Sequence, residues 1–164
     1  MSFCYFYGIL PVSEGRRVQT TRSNGGSVWH TVYDSTICTE TKGEVDGVIR
    51  AYAPASEAVL GSDSLVITCA KFAVPLNLST THPTEFIMDS LHCYAFNADP
   101  SKNDYDSFLP ANSVPSLNLL GSVVGTVVHM EDAARAVDVR VNCYIQNKTV
   151  ESMYRLVFIL FLIE

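Results

Sequence analysis

Val137-Asp138-Val139-Arg140-Val141-Asn142-Cys143-Tyr144-Ile145-Gln146 alternates apolar and polar residues without a break. Val137, Val139, Val141, Cys143 and Ile145 point one way, and Asp138, Arg140, Asn142, Tyr144 and Gln146 the other. A period of two is the signature of a half-buried strand. The same rhythm runs through Glu44 to Tyr52. There Val45, Gly47, Ile49 and Ala51 share one side, and Glu44, Asp46, Arg50 and Tyr52 the other.

Working outward, further strands are predicted over Phe3 to Leu10, Ser27 to Cys38, Leu65 to Val74 and Phe86 to Phe96. Others cover Leu117 to Met130, bent at Gly121 or Gly125, and Met153 to Ile163. Pro75 ends one of them because proline donates nothing to a ladder. Ala53 to Gly61 is expected as a helical turn or two, and Glu131 to Ala136 as a connector with some helical propensity. Residues 11 to 27 and 98 to 115 are polar or proline-rich and are expected as loops. No stretch of twelve residues carries a 3.6-residue period. The expected class is all-β, a closed barrel or a β-sandwich of six to eight strands with one or two short helices.

The chain divides into residues 1–41, N-terminal strands with a flexible linker, and 42–164, the barrel domain. Within the second part, Gly43-Glu44-Val45-Asp46-Gly47-Val48-Ile49 lies over Gly121-Ser122-Val123-Val124-Gly125-Thr126-Val127. This suggests an internal repeat of 43–97 and 121–163. The competing explanation is that valine-rich strands with glycine bends match one another easily.

The 164 residues are 48% hydrophobic and 17% charged, a balance that builds a core and excludes a disordered chain. Eleven Lys and Arg against seventeen Asp and Glu leave a net charge of −6, which argues against tail-driven DNA binding. No apolar run is long enough to span a bilayer as a helix, so no membrane is expected. The first ten residues are apolar but lack the preceding cations of a signal peptide. Five widely spaced cysteines do not suit a secreted disulfide scaffold, and a cytoplasmic or nuclear protein with reduced thiols is expected.

Catalytic and metal motifs are missing. There is no C-x-x-C, H-x-H, H-E-x-x-H, G-x-S-x-G or glycine-rich phosphate loop. Asp99, Ser101, Asn103, Asp104 and Asp106 resemble the start of a calcium loop, but Asp104 replaces its glycine and Pro110 its closing glutamate. No metal or cofactor is expected, and a binding protein is favoured over an enzyme; the third and least favoured reading is a hydrolase whose histidine and carboxylate come together only in the fold.

A surface is more suggestive. Phe86, Met88, Ser90, His92, Tyr94 and Phe96 share one face of their strand, opposite Ile87, Leu91, Cys93 and Ala95. Aromatic rings flanked by Arg and Asn are what stacking on single-stranded bases requires. The candidate contacts are Arg50, Tyr52, Lys71, His92, Tyr94, Phe96, Arg140 and Tyr144. The bland alternative is that these aromatics are core. Leu156 to Ile163 contains no polar residue. A central strand buried on both faces would look like this, and so would a contact between copies of the chain through Leu156, Phe158, Leu160 and Phe161.

The glycine-bent strand Gly43 to Tyr52, its partners Leu65 to Val74 and Phe86 to Phe96, and the set after Pro115 together resemble an OB-fold-like barrel. Pro115-Ser116-Leu117-Asn118-Leu119-Leu120-Gly121-Ser122-Val123-Val124-Gly125 is similar to small, uncharacterised β-barrel proteins of mushroom-forming fungi. The OB resemblance covers about residues 43 to 160. It implies a binding module for single-stranded nucleic acid or for a protein partner. The second reading is a protein-interaction or self-assembly module, a homo-oligomer joined by the apolar C-terminal strand.

Overall fold

The computed structural model describes residues 2–21, 25–39, 42–54, 56–76, 85–96, 102, 115–130 and 134–159. Nine strands run through them: β1 (Phe3–Thr21), β2 (Ser27–Thr39), β3 (Gly43–Tyr52), β4 (Ser64–Ala73), β5 (Phe86–Ala95), β6 (Ser116–Leu120), β7 (Ser122–His129), β8 (Ala134–Ile145) and β9 (Lys148–Ile159). The ninth arises because the expected strand over 117–130 is cut at Gly121. A Cβ there would run into the carbonyl oxygen of Arg140. The break sends β6 to β1 and β7 to β8, in different sheets.

Five strands close on themselves. β1 pairs with β2, β2 with β3, β5 with β4 and β4 with β1, all antiparallel, while β3 and β5 run parallel. The circuit β1-β2-β3-β5-β4-β1 is the strand order of an OB-like fold. Closure leaves these strands no free edge over their paired lengths. The domain boundary expected at residue 41 falls between β2 and β3, which pair from His30↔Tyr52 to Thr39↔Gly43.

Besides β6, β1 serves two neighbours in the ring because it bends. Residues 5–12 pair with β4 and residues 13–21 with β2, and the register slips between Ser13 and Arg16. Glu14 sits at the slip with φ of 48°, the left-handed region that a β-bulge uses. This corrects the expected loop over 11–27: its first half is strand. Past the bulge the β1–β2 hairpin is largely solvated, so the alternation that marks a half-buried strand is absent from the composition.

The ring interior is filled by alternate residues: Cys4, Phe6, Leu10 and Val12 of β1, Tyr33 of β2, Ile49 of β3, and Val66, Ala70 and Phe72 of β4. Gly47 of β3 faces Phe86 in register, and the Phe86 ring occupies the space a Cβ at 47 would need. A glycine is required here by the ring and not by its backbone angles.

A second sheet, β7-β8-β9, packs across the ring where β1 begins and β4 ends. Val139 and Val141 of β8 join the ring core, beside Cys4 and Phe72. Hydrogen bonds stitch the join: Asn142 N–H to Ser2 Oγ at 3.0 Å, Val74 N–H to Ser152 Oγ at 3.0 Å, and Tyr154 O–H to the Phe72 carbonyl at 3.4 Å. The β8 alternation holds: Val139, Val141, Cys143 and Ile145 are buried, and Arg140, Asn142 and Tyr144 exposed.

Two expectations need correction. No helix occurs among the described residues. Pro54 to Glu57 makes one turn, Glu57 N–H to the Pro54 carbonyl at 3.0 Å, and goes no further. Residues 134–136 belong to β8, and 131–133 lie outside the described residues. Next, β9 is not a central strand. Among the described residues it ends its sheet, and Leu156, Val157 and Phe158 are exposed. The strands of the two segments matched as a repeat are paired as follows. β3, β5 and β4 lie in that order with a parallel pair, whereas β7, β8 and β9 form an antiparallel meander.

Candidate nucleic-acid interface

The outer face of β5 is set by a bulge. Cys69 pairs with His92 but Ala70 with Ser90, so Leu91 is the extra residue and the side-chain parity flips across it. Before the bulge, Phe86 and Met88 point into the core and Asp89 outward. After it, Cys93 packs on the core while His92 and Tyr94 point to solvent. Phe86 and Met88 are therefore not part of the aromatic face on which they were expected; strict alternation fails because one residue is inserted.

His92 and Tyr94 lie with rings nearly parallel, 9° apart in plane and 6.1 Å between centroids. On the adjacent strand, Tyr52 is 64% exposed and meets His30 of β2 edge-on at 6.4 Å. Ala51 pairs with Ser90, so Tyr52 leaves β3 beside the bulge that releases His92. The ring thus gathers Tyr52, His92 and Tyr94 on neighbouring strands. Phe96 follows β5, half-buried, its N–H bonded to the Leu65 carbonyl at 2.8 Å.

The cations are arranged otherwise. Arg50 lies on the same outer side of β3, but its Nε and Nη2 hold both carboxylate oxygens of Asp89 at 2.6 and 2.7 Å. A guanidinium neutralised in this way has little charge to offer a phosphate. Lys71 Nζ donates to the Tyr144 carbonyl at 3.2 Å, which brings Lys71 and exposed Tyr144 together at the join of the two sheets. Arg140 stands on the second sheet, with Nε 3.8 Å from Glu151 Oε1. Of the eight candidates, the structure stacks His92 with Tyr94, sets Tyr52 on the strand next to theirs, holds Arg50 on Asp89, and brings Lys71 to Tyr144. Arg140 lies on β8 with Tyr144, and its ion-pair partner is Glu151.

Sequence reasoning passed over the β1–β2 hairpin. Between Gly15 and Tyr33 the chain has Arg16, Arg17 and Arg22 and no Asp or Glu, although the whole chain is at −6. Arg22 lies outside the described residues. The hairpin also carries Trp29, 38% exposed, and His30, whose Nδ1 lies 3.0 Å from Thr20 Oγ1. Arg16 Nη1 pairs with Asp34 Oδ1 at 2.9 Å, half-exposed and open to exchange with another anion. The acid-free run was visible in the sequence. Its pairing with β2, which puts Trp29 and His30 beside it, was not.

A separate cavity of about 210 Å³ opens between β2, β3, β4 and β5. Ile37, Val45, Phe72, Val74 and Phe86 line it, with Lys42 Nζ 3.7 Å from Glu85 Oε2 at its polar side. Among the described residues no group of His, Cys, Asp and Glu has the placement of a metal site. The calcium-like segment 99–106 falls, but for residue 102, outside the described residues.

No protein-family model and no curated protein matches the chain. Among solved structures it is similar to the wild-type single-stranded DNA binding protein from Thermus aquaticus. The TM-score is 0.45 at 9% identity, over 96% of this chain and 74% of that one. A deletion mutant of the same protein is similar at a TM-score of 0.44 and 9% identity, over 96% and 75% of the two chains.

Proposed function

We propose that the chain binds single-stranded nucleic acid on the outer face of its OB-like ring. The observation that carries this reading is the exposed set Tyr52, His92 and Tyr94, with the His30–Tyr52 contact leading to the β1–β2 hairpin, whose residues 15–33 hold arginines and no Asp or Glu. Open rings let bases stack whatever their identity, and Arg16 and Arg17 supply charge for the backbone. In OB folds, the β2–β3 face and the β1–β2 loop are the usual contact region for oligonucleotides, which supports giving that role to the hairpin strands and Tyr52. Arg50 acts in this scheme as a strut for the face and not as a phosphate ligand. Lys71 and Tyr144 form a second, smaller contact, and Phe96 and Arg140 lie at the margins. Five thiols without a disulfide support a reducing compartment, cytoplasmic or nuclear.

Trp29 is the only tryptophan, so it reports binding directly. Titrating single-stranded oligonucleotide into the full chain at low salt should quench its emission. Raising the salt should reverse the effect. Unchanged Trp29 emission together with no shift in the anisotropy of a labelled oligonucleotide at low salt would refute the proposal.

A second reading, self-association, is favoured by the exposure of Leu156, Val157 and Phe158 at the end of β9. Leu160 and Phe161, which belong to the same expected interface, lie outside the described residues.

A further inference from the structure

We infer that β9 is a dimerisation edge, pairing antiparallel with β9 of a second copy about a two-fold axis at Met153; this rests on the self-association reading and gives it a register. β9 is paired with β8 along its whole length, and no described strand lies on its other side. Among the described residues that leaves a regular edge on a twelve-residue strand, with the N–H and C=O of alternate residues turned outward, a template for another strand. The opposite end of the sheet is a poor template. β7 is shorter, its register slips between Val124 and Val128, and Gly125 at φ of 78° kinks it.

The side chains of β9 match their own reversal. Thr149, Glu151, Met153, Arg155 and Val157 alternate along one face of the strand, and Val150 and Ser152 are buried on the other. Centred on Met153, an antiparallel pair sets Glu151 opposite Arg155 of the second copy, twice by symmetry. Thr149 then faces Val157, and on the inner side Val150 faces Leu156. Shifting the centre to Ser152 or Tyr154 puts both charges opposite uncharged residues. Arg155 already spends Nε and Nη2 on Asp138 at 2.8 and 2.9 Å, which leaves Nη1 for the incoming carboxylate. Glu151 is 3.8 Å from Arg140. The dimer would therefore align Asp138, Arg155, Glu151 and Arg140 in alternating sign across the seam, with opposite charges facing at each step.

The test uses the full chain in a Cys38→Ser background, which removes the exposed thiol. Sedimentation equilibrium should give a dimer. Met153→Lys, which sets two ammonium groups face to face on the axis, should weaken it roughly tenfold or more with an unchanged circular dichroism spectrum. Met153→Cys should form a disulfide-linked dimer under mild oxidation. Thr149→Cys should link only when mixed with Val157→Cys. A chain that is monomeric at high micromolar concentration overturns both the register and the self-association reading. A dimer that ignores Met153→Lys and yields no link through Met153→Cys overturns the β9 register alone.

Discussion

Asp89 Oδ2 accepts from Arg50 Nη2 at 2.7 Å and from the backbone N–H of Gln146 at 2.8 Å. One carboxylate thus ties β3 to β5 and both to the β8–β9 turn. Gln146 and Asn147 of that turn have φ of 49° and 63°, as a two-residue hairpin requires. Asp89→Asn keeps the shape but removes the charge that Arg50 balances. With Arg50 and Asp89 only 14% and 20% exposed, the unpaired guanidinium should cost about 2 kcal/mol. Urea denaturation measures it. An unchanged midpoint would mean that Arg50 finds solvent instead.

Gly47→Ala tests the packing of the ring. The added methyl meets Phe86, which packs against Phe72 at 5.8 Å between centroids, and Phe72 in turn packs against Phe6 and Tyr154. The Phe86 ring is fully buried and would have to shift toward the cavity it lines, away from its contact with Phe72. Overpacking of this kind should cost about 1–3 kcal/mol. Gly61→Ala is the control, since no atom lies near a Cβ there. Equal stability of the two variants would contradict the predicted clash.

Much of the fold was legible along single strands. Alternation in β3 and β8 gave the correct buried faces, because each has one face on the core. What alternation cannot carry is insertion and partnership. The extra residue at Leu91 reverses which half of β5 is aromatic outside, and no composition marks it. The parallel pairing of β3 with β5 depends on the whole ring. The apolar end of β9 is ambiguous in sequence, since a central strand and an interface strand share a composition. Arg50 was readable as an outward cation, but its neutralisation by a residue 39 positions away was not.

The stacking face predicts selective losses. Tyr94→Ala and Tyr52→Ala remove exposed rings, 63% and 64% accessible, so melting temperature should hardly move. Affinity for single-stranded oligonucleotide should fall by about 1–3 kcal/mol for each, roughly 5- to 150-fold. Anisotropy titrations read this. Wild-type affinity in both variants would remove the outer β3–β5 face from the interface.

The hairpin makes a separate prediction, on slope instead of affinity. Removing one cation that neutralises a phosphate of a single strand should reduce the dependence of log K on log salt by about 0.7. Arg17→Ala should show that change. Arg140→Ala should not, because Arg140 lies on the second sheet beside Glu151. Equal slopes for Arg17→Ala and the wild type would place the phosphate-binding cations elsewhere.

Alkaline pH should unfold the ring at its join with the second sheet. Burial pushes the Cys4 thiol from 9.0 up to about 11, and the Cys143 thiol beside it adds to the rise. Cys93 is raised to about 11 for the same first reason, with Glu57 adding. Burial also raises the Tyr154 phenol, which shares the pocket with Cys4. These groups hold their protons when folded and release them more readily when unfolded. Between pH 9 and 11 the unfolded chain therefore binds fewer protons, and stability falls as pH rises. The contribution of these groups is complete below about pH 9 and fades progressively through 11. Urea midpoints followed across that range should decline, and less steeply in Cys93→Ala than in the wild type. A midpoint that stays level to pH 11 would show that the thiols ionise in place, with water reaching the core before the chain unfolds.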